Sequence, residues 1–373
     1  MRKRHAEIVG AGFAGLTAAC ALAQRGWSVR VHERADQLRT TGAGIYIYEN
    51  GLRVLEAIGA YQAAVDGAPI AHTREVRDDR NRLISEHRWA GSRVFSVVRQ
   101  NVINALAAVA TRAGVEIVMH SSGVGATPDG ELMLADGRRI QADLIVGADG
   151  SNSRLRDSLD LLAQRKYLVD GCTRMLIDKT PAERAITGGA KTVEYWSGTR
   201  RLLYTPCSET DVYIALTMLD RDEAGKVVPV DKIEWKWSFP HLETLIDRIG
   251  GEGRYDRFEM IKLKRWSAGR VAIVGDAAHA LPPNIGQGGG CAMMNALSLA
   301  VYLERESDIT AALEIWEREE RPLTEHTQRI SYLLGVPTTW PPLLRAAALG
   351  VAGRSKWLVR QRTRTALHRP TGT

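Results

Sequence analysis

At 373 residues and 41.0 kDa, the chain is long enough for two domains or for one large domain with an insert. Its 45% apolar and 25% charged residues exclude a disordered or fibrous chain, and no run reaches the roughly 18 apolar residues of a membrane span. The formal charge of +7 suits an anionic ligand, but the cations are scattered without interleaved aromatics, so no nucleic-acid partner is expected.

Ala6 to Val9 reads as a short apolar strand. Gly10-Ala-Gly12-Phe-Ala-Gly15 then opens an Ala/Leu-rich helix ending near Arg25-Gly26, and a second strand, Trp27 to His32, closes on Glu33. Within such a strand, turn, helix and strand, Gly10 permits the tight turn, Gly12 lets the backbone approach a pyrophosphate, and Gly15 lets the helix pack on the strand. Glu33 is placed to accept hydrogen bonds from an adenosine ribose. An acid there argues against a ribose 2′-phosphate, which leaves FAD or NAD.

Arg39 to Tyr48 reads as a loop containing Gly42-Ala43-Gly44 that feeds a strand, and Asn50 to Gly59 as a helix with Leu52, Leu55 and Ile58 on one face. The loop is either a plain turn or a backbone segment running under a flat ligand. Pro69 to Arg93 is polar and charged in short alternating runs, an excursion from the nucleotide-binding sheet. Val94 to Val98 returns as a strand and delivers Arg99 to the start of a helix, Gln100 to Ala113. There Arg99 is either a surface charge or a forked donor to a phosphate. A strand at Val115 to Val118 and a hairpin around Asp136-Gly137 precede the buried strand that ends in Asp149-Gly150.

From Lys166 to Trp266 the pattern suits an antiparallel sheet, with strands at Thr192 to Trp196, Arg201 to Thr205 and Val212 to Leu219. The block holds Trp196, Trp235, Trp237, Tyr195, Tyr204 and Tyr213; most are expected in its core, and a few could wall a flat ligand. Arg201 and Tyr213 stand on neighbouring strands that can aim both into one apolar pocket. Val271 to Val274 is another buried strand and ends in Gly275-Asp276. A rigid Pro282-Pro283 corner and Gln287-Gly288-Gly289-Gly290 follow, opening a helix from Cys291 to Glu304. A helix N-terminus with bare glycine amides attracts electron-rich groups. His279 is either an acid or base near a ligand or a hydrogen-bonding loop residue. Ile309 to Arg321 reads as a helix ending near Pro322, with a helical continuation over Thr324 to Leu334 left open. The basic, amphipathic tail from Pro337 could cap the body, form a subunit contact or lie on a membrane surface.

Cys20, Cys172, Cys207 and Cys291 show no Cys-x-x-Cys spacing. Neither a metal site nor a disulfide framework is expected. The basic N-terminus runs straight into a strand rather than into an apolar secretory core, so a cytoplasmic location is expected.

With Gly10-x-Gly12-x-x-Gly15, Glu33, Arg99, Asp149-Gly150 and Gly275-Asp276 in this order, the chain resembles the single-component FAD-dependent aromatic hydroxylases, the family of para-hydroxybenzoate hydroxylase. Gly42 to Glu56, Arg201 to Cys207 and Gln287 to Met293 are similar in particular to the branch that opens hydroxypyridine carboxylates. The chain departs from that branch at Ala71-His72-Thr73-Arg74, where a tyrosine is expected.

The resemblance implies an α/β fold. A Rossmann-like FAD-binding domain of the glutathione reductase type (residues 1–70, 94–165 and 267–335) would carry an inserted antiparallel-sheet substrate domain (71–93 and 166–266) and a helical tail (336–373). The cofactor would contact Gly10, Gly12, Ala14, Gly15, Glu33, Arg34, Gly44, Arg99, Asp149, Asp276, Gln287, Gly288 and Gly289. Arg201 would anchor a carboxylate or phenolate, Tyr213 would orient a ring hydroxyl, and Pro282 and Pro283 would shield the reacting ring. NADH or NADPH would reduce FAD, and O2 would form a C4a-hydroperoxide that hydroxylates a small aromatic or heteroaromatic substrate, or leads to opening of its ring. The protein would be a monomer or homodimer without integral membrane contact. A flavin dehydrogenase or reductase, or a non-catalytic binding protein, can use the same fold.

Overall fold

Five strands pair in parallel in the order Val271–Ile273, Leu144–Gly147, His5–Val9, Ser28–His32 and Glu116–Val118, and the antiparallel Ser267–Ala268 extends the first edge. The computed structural model describes residues 3–38, 43–89, 92–186, 190–251 and 253–373. The central strands are buried on both faces, as a parallel sheet requires. Against the sheet lies the Phe13–Ala23 helix, which is buried on nearly every side because its Ala, Gly and Cys residues leave room for a neighbour. That neighbour is the Gly288–Arg305 helix.

A second sheet of seven strands runs in the order Arg254–Leu263, Leu162–Asp178, Asp211–Leu219, Arg200–Pro206, Ala190–Ser197, Ala71–Asp78 and Leu83–Arg88. The early Ala71–Arg88 hairpin joins the later strands through a parallel pairing of Ala71–Asp78 with Ala190–Ser197. One face of this sheet packs Met175, Leu202, Ile214 and Leu216 against Trp235, Phe239 and Ile246. The other face carries Arg74, Asp170, Arg174, Glu194, Arg201 and Tyr213, and it turns toward the Gly44–Tyr48 strand. The fold is the expected α/β arrangement: a Rossmann-like sheet joined to a largely antiparallel one.

Two points left open by the sequence are decided by packing. Ile309–Gly335 is one helix that continues through Pro322. Tertiary packing outweighs the proline's lost hydrogen bond: beyond it, Thr324, Thr327, Gln328 and Ser331 are buried, and Gln328 Nε2 donates to Ile261 O at 2.7 Å and to Ala280 O at 3.0 Å. Trp235 is fully buried, but Trp237, two residues along the same short helix, is 79% exposed.

Candidate cofactor and substrate site

Gly10 adopts a φ of 101°, and a Cβ there would lie 2.3 Å from Ala148 O. At Gly15 a Cβ would lie 1.9 Å from Gly10 O, whereas at Gly12 and Gly288 it would meet nothing within 4 Å. Gly10 and Gly15 are therefore glycines of close packing, while Gly12 and Gly288 border open volume. Ala14 packs against Gly275, where a Cβ would approach the Ala14 methyl to 2.8 Å.

Glu33 is fixed at the end of its strand. Its Oε2 accepts from Ala11 N at 2.9 Å and its Oε1 from Ala35 N at 3.0 Å. Arg34 next to it is exposed.

The two acidic turns are joined. Asp149 Oδ2 accepts from Arg154 N at 2.8 Å, capping a short helix, and its Oδ1 has no partner among the described residues. Arg156 is fully buried and donates from Nη1 to Ser151 O at 2.9 Å and to Ala277 O at 3.2 Å, on the turn after Asp276. Asp276 keeps an exposed surface, yet burial still pushes its carboxyl up against the pull of Arg99. Its carboxyl is thus accessible yet poorly solvated, the setting of a recessed group. Arg99 is close enough to act on this carboxyl. Burial and the neighbouring Arg174 lower its pKa, its guanidinium lies 5.2 Å from the Phe13 ring, and its Nε has no partner among the described residues.

At the far side the Gly288–Arg305 helix starts without a side-chain cap. Gln287 is buried, its Oε1 accepts from Asn50 Nδ2 at 3.0 Å, and its Nε2 has no partner among the described residues. The first-turn amides of Gly288 and Gly289 thus remain for an electron-rich ligand. The unpartnered atoms of Arg99, Asp149 and Gln287, the open faces of Gly12 and Gly288, and the positioned Glu33 carboxylate fit a dinucleotide the length of FAD. Gly42 of the expected Gly42-Ala43-Gly44 loop lies outside the described residues. Gly44 lies against Tyr213, whose Cβ would be 2.6 Å from a Cβ at that glycine.

Tyr213 and Arg201 share a face of the seven-stranded sheet but not a neighbourhood. Arg201 pairs with Thr217, four residues from Tyr213, which is about 13 Å along the strand. Tyr213 is hydrogen-bonded to Arg174, and burial pushes its hydroxyl up to about 12. Arg201 donates from Nη2 to Asp170 Oδ2 at 2.9 Å and from Nη1 to Asn284 Oδ1 at 3.2 Å, and it lies 3.6 Å from Glu194 Oε1. Glu194 in turn pairs with Arg74. Despite burial, Arg74 and Arg201 hold the Glu194 carboxyl below its usual range. Four strands thus carry an alternating series, Arg74, Glu194, Arg201 and Asp170. Of this series the sequence singles out only Arg201: Asp170 lies 31 residues from it and Arg74 lies 120 from Glu194, while the nearer Glu194 meets Arg201 only through the register of their paired strands.

Beside this series, Tyr46 donates to Thr192 Oγ1 at 3.2 Å and lies against Thr205 Oγ1. Pro282 is buried and Pro283 exposed. Their loop is held by Ser331, whose Oγ donates to Pro282 O at 2.5 Å, and by Asn284 Nδ2, which donates to Ser331 O at 2.9 Å. His279 points into the core: its Nε2 accepts from Asn295 Nδ2 at 2.9 Å, its ring packs on Trp266, and burial lowers its pKa to about 4. Among the described residues no group of His, Cys, Asp and Glu is arranged to hold a metal ion.

Residues 4–327 match the family model described as FAD binding domain. The chain is 44% identical over 371 residues to a putative 2-heptyl-3-hydroxy-4(1H)-quinolone synthase of Rhodococcus erythropolis, covering 99% of this chain and 97% of that one. It is 42% identical over 365 residues to a 2-heptyl-3-hydroxy-4(1H)-quinolone synthase of Mycobacteroides abscessus, covering 95% and 96%. Among solved structures it is similar to the tetrameric form of 2-methyl-3-hydroxypyridine-5-carboxylic acid oxygenase, with a TM-score of 0.88, 38% identity and coverage of 98% and 96%.

Proposed function

Because the chain belongs to the FAD binding domain family and is an FAD-dependent monooxygenase of aromatic substrates, we propose that it hydroxylates a neutral nitrogen heterocycle of the 4-quinolone kind. NADH or NADPH supplies two electrons, one oxygen atom of O2 enters the ring and the other leaves as water. The observation that carries this reading is the compensation of Arg201 by Asp170 and Glu194. A guanidinium already paired with two carboxylates is a poor clamp for a third. Its buried Nε–H, unpartnered among the described residues, remains for one neutral acceptor such as a ring carbonyl. The hydroxyl in the product named for the two quinolone synthases is what such an insertion leaves.

The chain's own residues then divide the work. Glu33 accepts from ribose hydroxyls, the first-turn amides that follow Gly12 face the pyrophosphate across the turn that Gly10 and Gly15 shape, and Arg99 with Asp276 grips the cofactor's middle. Asp149 and Gly44 complete its walls. When bound, reduced FAD supplies the electron pair that activates O2. The Gln287-Gly288-Gly289 amides stabilise negative charge at the ring end, as preorganised donors do. Pro282 and Pro283 exclude water there. Arg201, Asn284 and Tyr46 position the substrate ring, and Tyr213 with Arg174 closes the pocket beside Gly44.

One observation favours a second reading. Arg345 rests on Trp196 and Arg362 lies near Tyr48 and Arg74, and neither forms a close ion pair with a carboxylate among the described residues, Asp79 acting on Arg345 only through space. They could receive the carboxylate of a hydroxypyridine acid whose ring is opened. Supplying 2-alkyl-4-quinolones and hydroxypyridine carboxylates separately, while following NAD(P)H oxidation, O2 uptake and product mass, separates the two. A quinolone product heavier by one oxygen is expected. Stimulation by carboxylates alone, with a gain of two oxygens and two hydrogens, would establish the second reading.

A further inference from the structure

The C-terminal helices present a face that the site does not use. Residues 326–373 hold eight Lys and Arg and no Asp or Glu, a formal +8 that exceeds the +7 of the whole chain, so the remainder is close to neutral. The Pro342–Arg354 helix buries Arg345 against Trp196 and turns Leu343 (86% exposed), Leu344 (61%) and Val351 (63%) outward. Leu344, Ala347, Val351 and Arg354 are all exposed and recur at three- and four-residue spacing, which is one helix face. The following Lys356–Thr363 helix adds Trp357, 65% exposed, between the exposed Lys356 and Arg360.

We propose that this face is a peripheral docking surface for an anionic lipid bilayer. No helix among the described residues is long and apolar enough to cross a membrane, but an apolar stripe edged by Trp and cations suits the headgroup plane. A second copy of this chain is the competing occupant. A two-fold contact sets the same patch against itself. Here that brings cations together in a segment with no acid to offset them, whereas anionic headgroups complement them. Arg345 also ties the helix to Trp196, and the Trp196 ring lies 4.9 Å from the Arg201 guanidinium, so the docked face borders the substrate end of the site. The surface assignment does not rest on the quinolone reading.

The test is co-sedimentation of the full-length, FAD-loaded protein with vesicles of mixed phosphatidylglycerol and phosphatidylcholine, against phosphatidylcholine alone, at low and high salt. The mass without lipid is measured by light scattering. Binding to the anionic vesicles, with release by salt, is expected. A Leu343→Glu, Leu344→Glu, Trp357→Glu variant and a Lys356→Glu, Arg360→Glu variant should each bind at least about tenfold more weakly with unchanged FAD content and thermal midpoint. Equal partition onto both vesicle types, no binding to either, or unchanged binding in both variants overturns the proposal. So does a wild-type mass that is a multiple of 41.0 kDa and falls to the single-chain value in the first variant, because a second copy then covers the face.

Discussion

The Arg156 guanidinium donates from Nη1 to the carbonyl oxygen of Ala277 at 3.2 Å, across 121 residues of sequence and in a fully buried position. The same nitrogen holds Ser151 O, so one cation fixes the spacing of the turns that carry Asp149 and Asp276. Arg156→Met should cost about 3 kcal/mol, since two buried carbonyls lose a charged donor. Arg156→Lys should recover little of it, because an ammonium lacks the planar fork. Urea unfolding, with FAD content measured in parallel, checks both. A loss below about 1 kcal/mol would show that water replaces the guanidinium.

Breaking the Arg201 pair should alter substrate choice. Asp170→Asn removes one of the carboxylates that compensate Arg201 and leaves its guanidinium with spare charge. Its kcat/KM for a carboxylate-bearing heterocycle should rise relative to that for a neutral quinolone, by on the order of tenfold. A ratio that stays constant while both activities fall would reduce Asp170 to a support for the sheet.

The glycines of the first turn should separate stability from cofactor binding. Gly15→Ala places a methyl against the Gly10 carbonyl and should destabilise the apoprotein by about 2 kcal/mol. Gly12→Ala meets no protein atom. It should leave the apoprotein within about 0.5 kcal/mol of wild type but weaken FAD binding at least tenfold, measured by flavin fluorescence titration.

His279 should make the acid limb of stability steeper. Its folded pKa is lowered to about 4 by burial, against about 6.5 in an unfolded chain. Above pH 6.5 both states are neutral and the group adds no pH dependence. As pH falls from 6.5 toward 4 the unfolded chain binds a proton that the folded chain refuses, and stability declines by at most about 3 kcal/mol. His87, also lowered to about 4, acts with the same sign, so the comparison must be with His279→Asn at each pH. The variant's curve should be flatter between pH 6.5 and 4.5. Parallel curves would mean that the His279 proton is accommodated.

The nucleotide half of the fold was legible because its information is contiguous. Gly10, Gly15 and Glu33 lie within one strand, helix and strand, and the turns at Asp149 and Asp276 each follow an apolar run. The substrate face was not legible. Arg74, Asp170, Glu194 and Arg201 meet only after strand order and register are set, and the parallel pairing of Ala71–Asp78 with Ala190–Ser197 leaves no trace in periodicity. The continuation through Pro322 stayed undecided for a related reason. Propensity marks a stop there, and the buried contacts of Gln328 and Ser331, invisible locally, overrule it.

Asn284 bonds Arg201 through its oxygen and Ser331 through its nitrogen, so the proline loop, the sheet and the Ile309–Gly335 helix meet in one amide. Anyone recasting this enzyme for a new ring must therefore treat the three positions as a single variable. Libraries that change them one at a time would score each replacement in a frame still shaped by the other two, and would discard combinations that work only together.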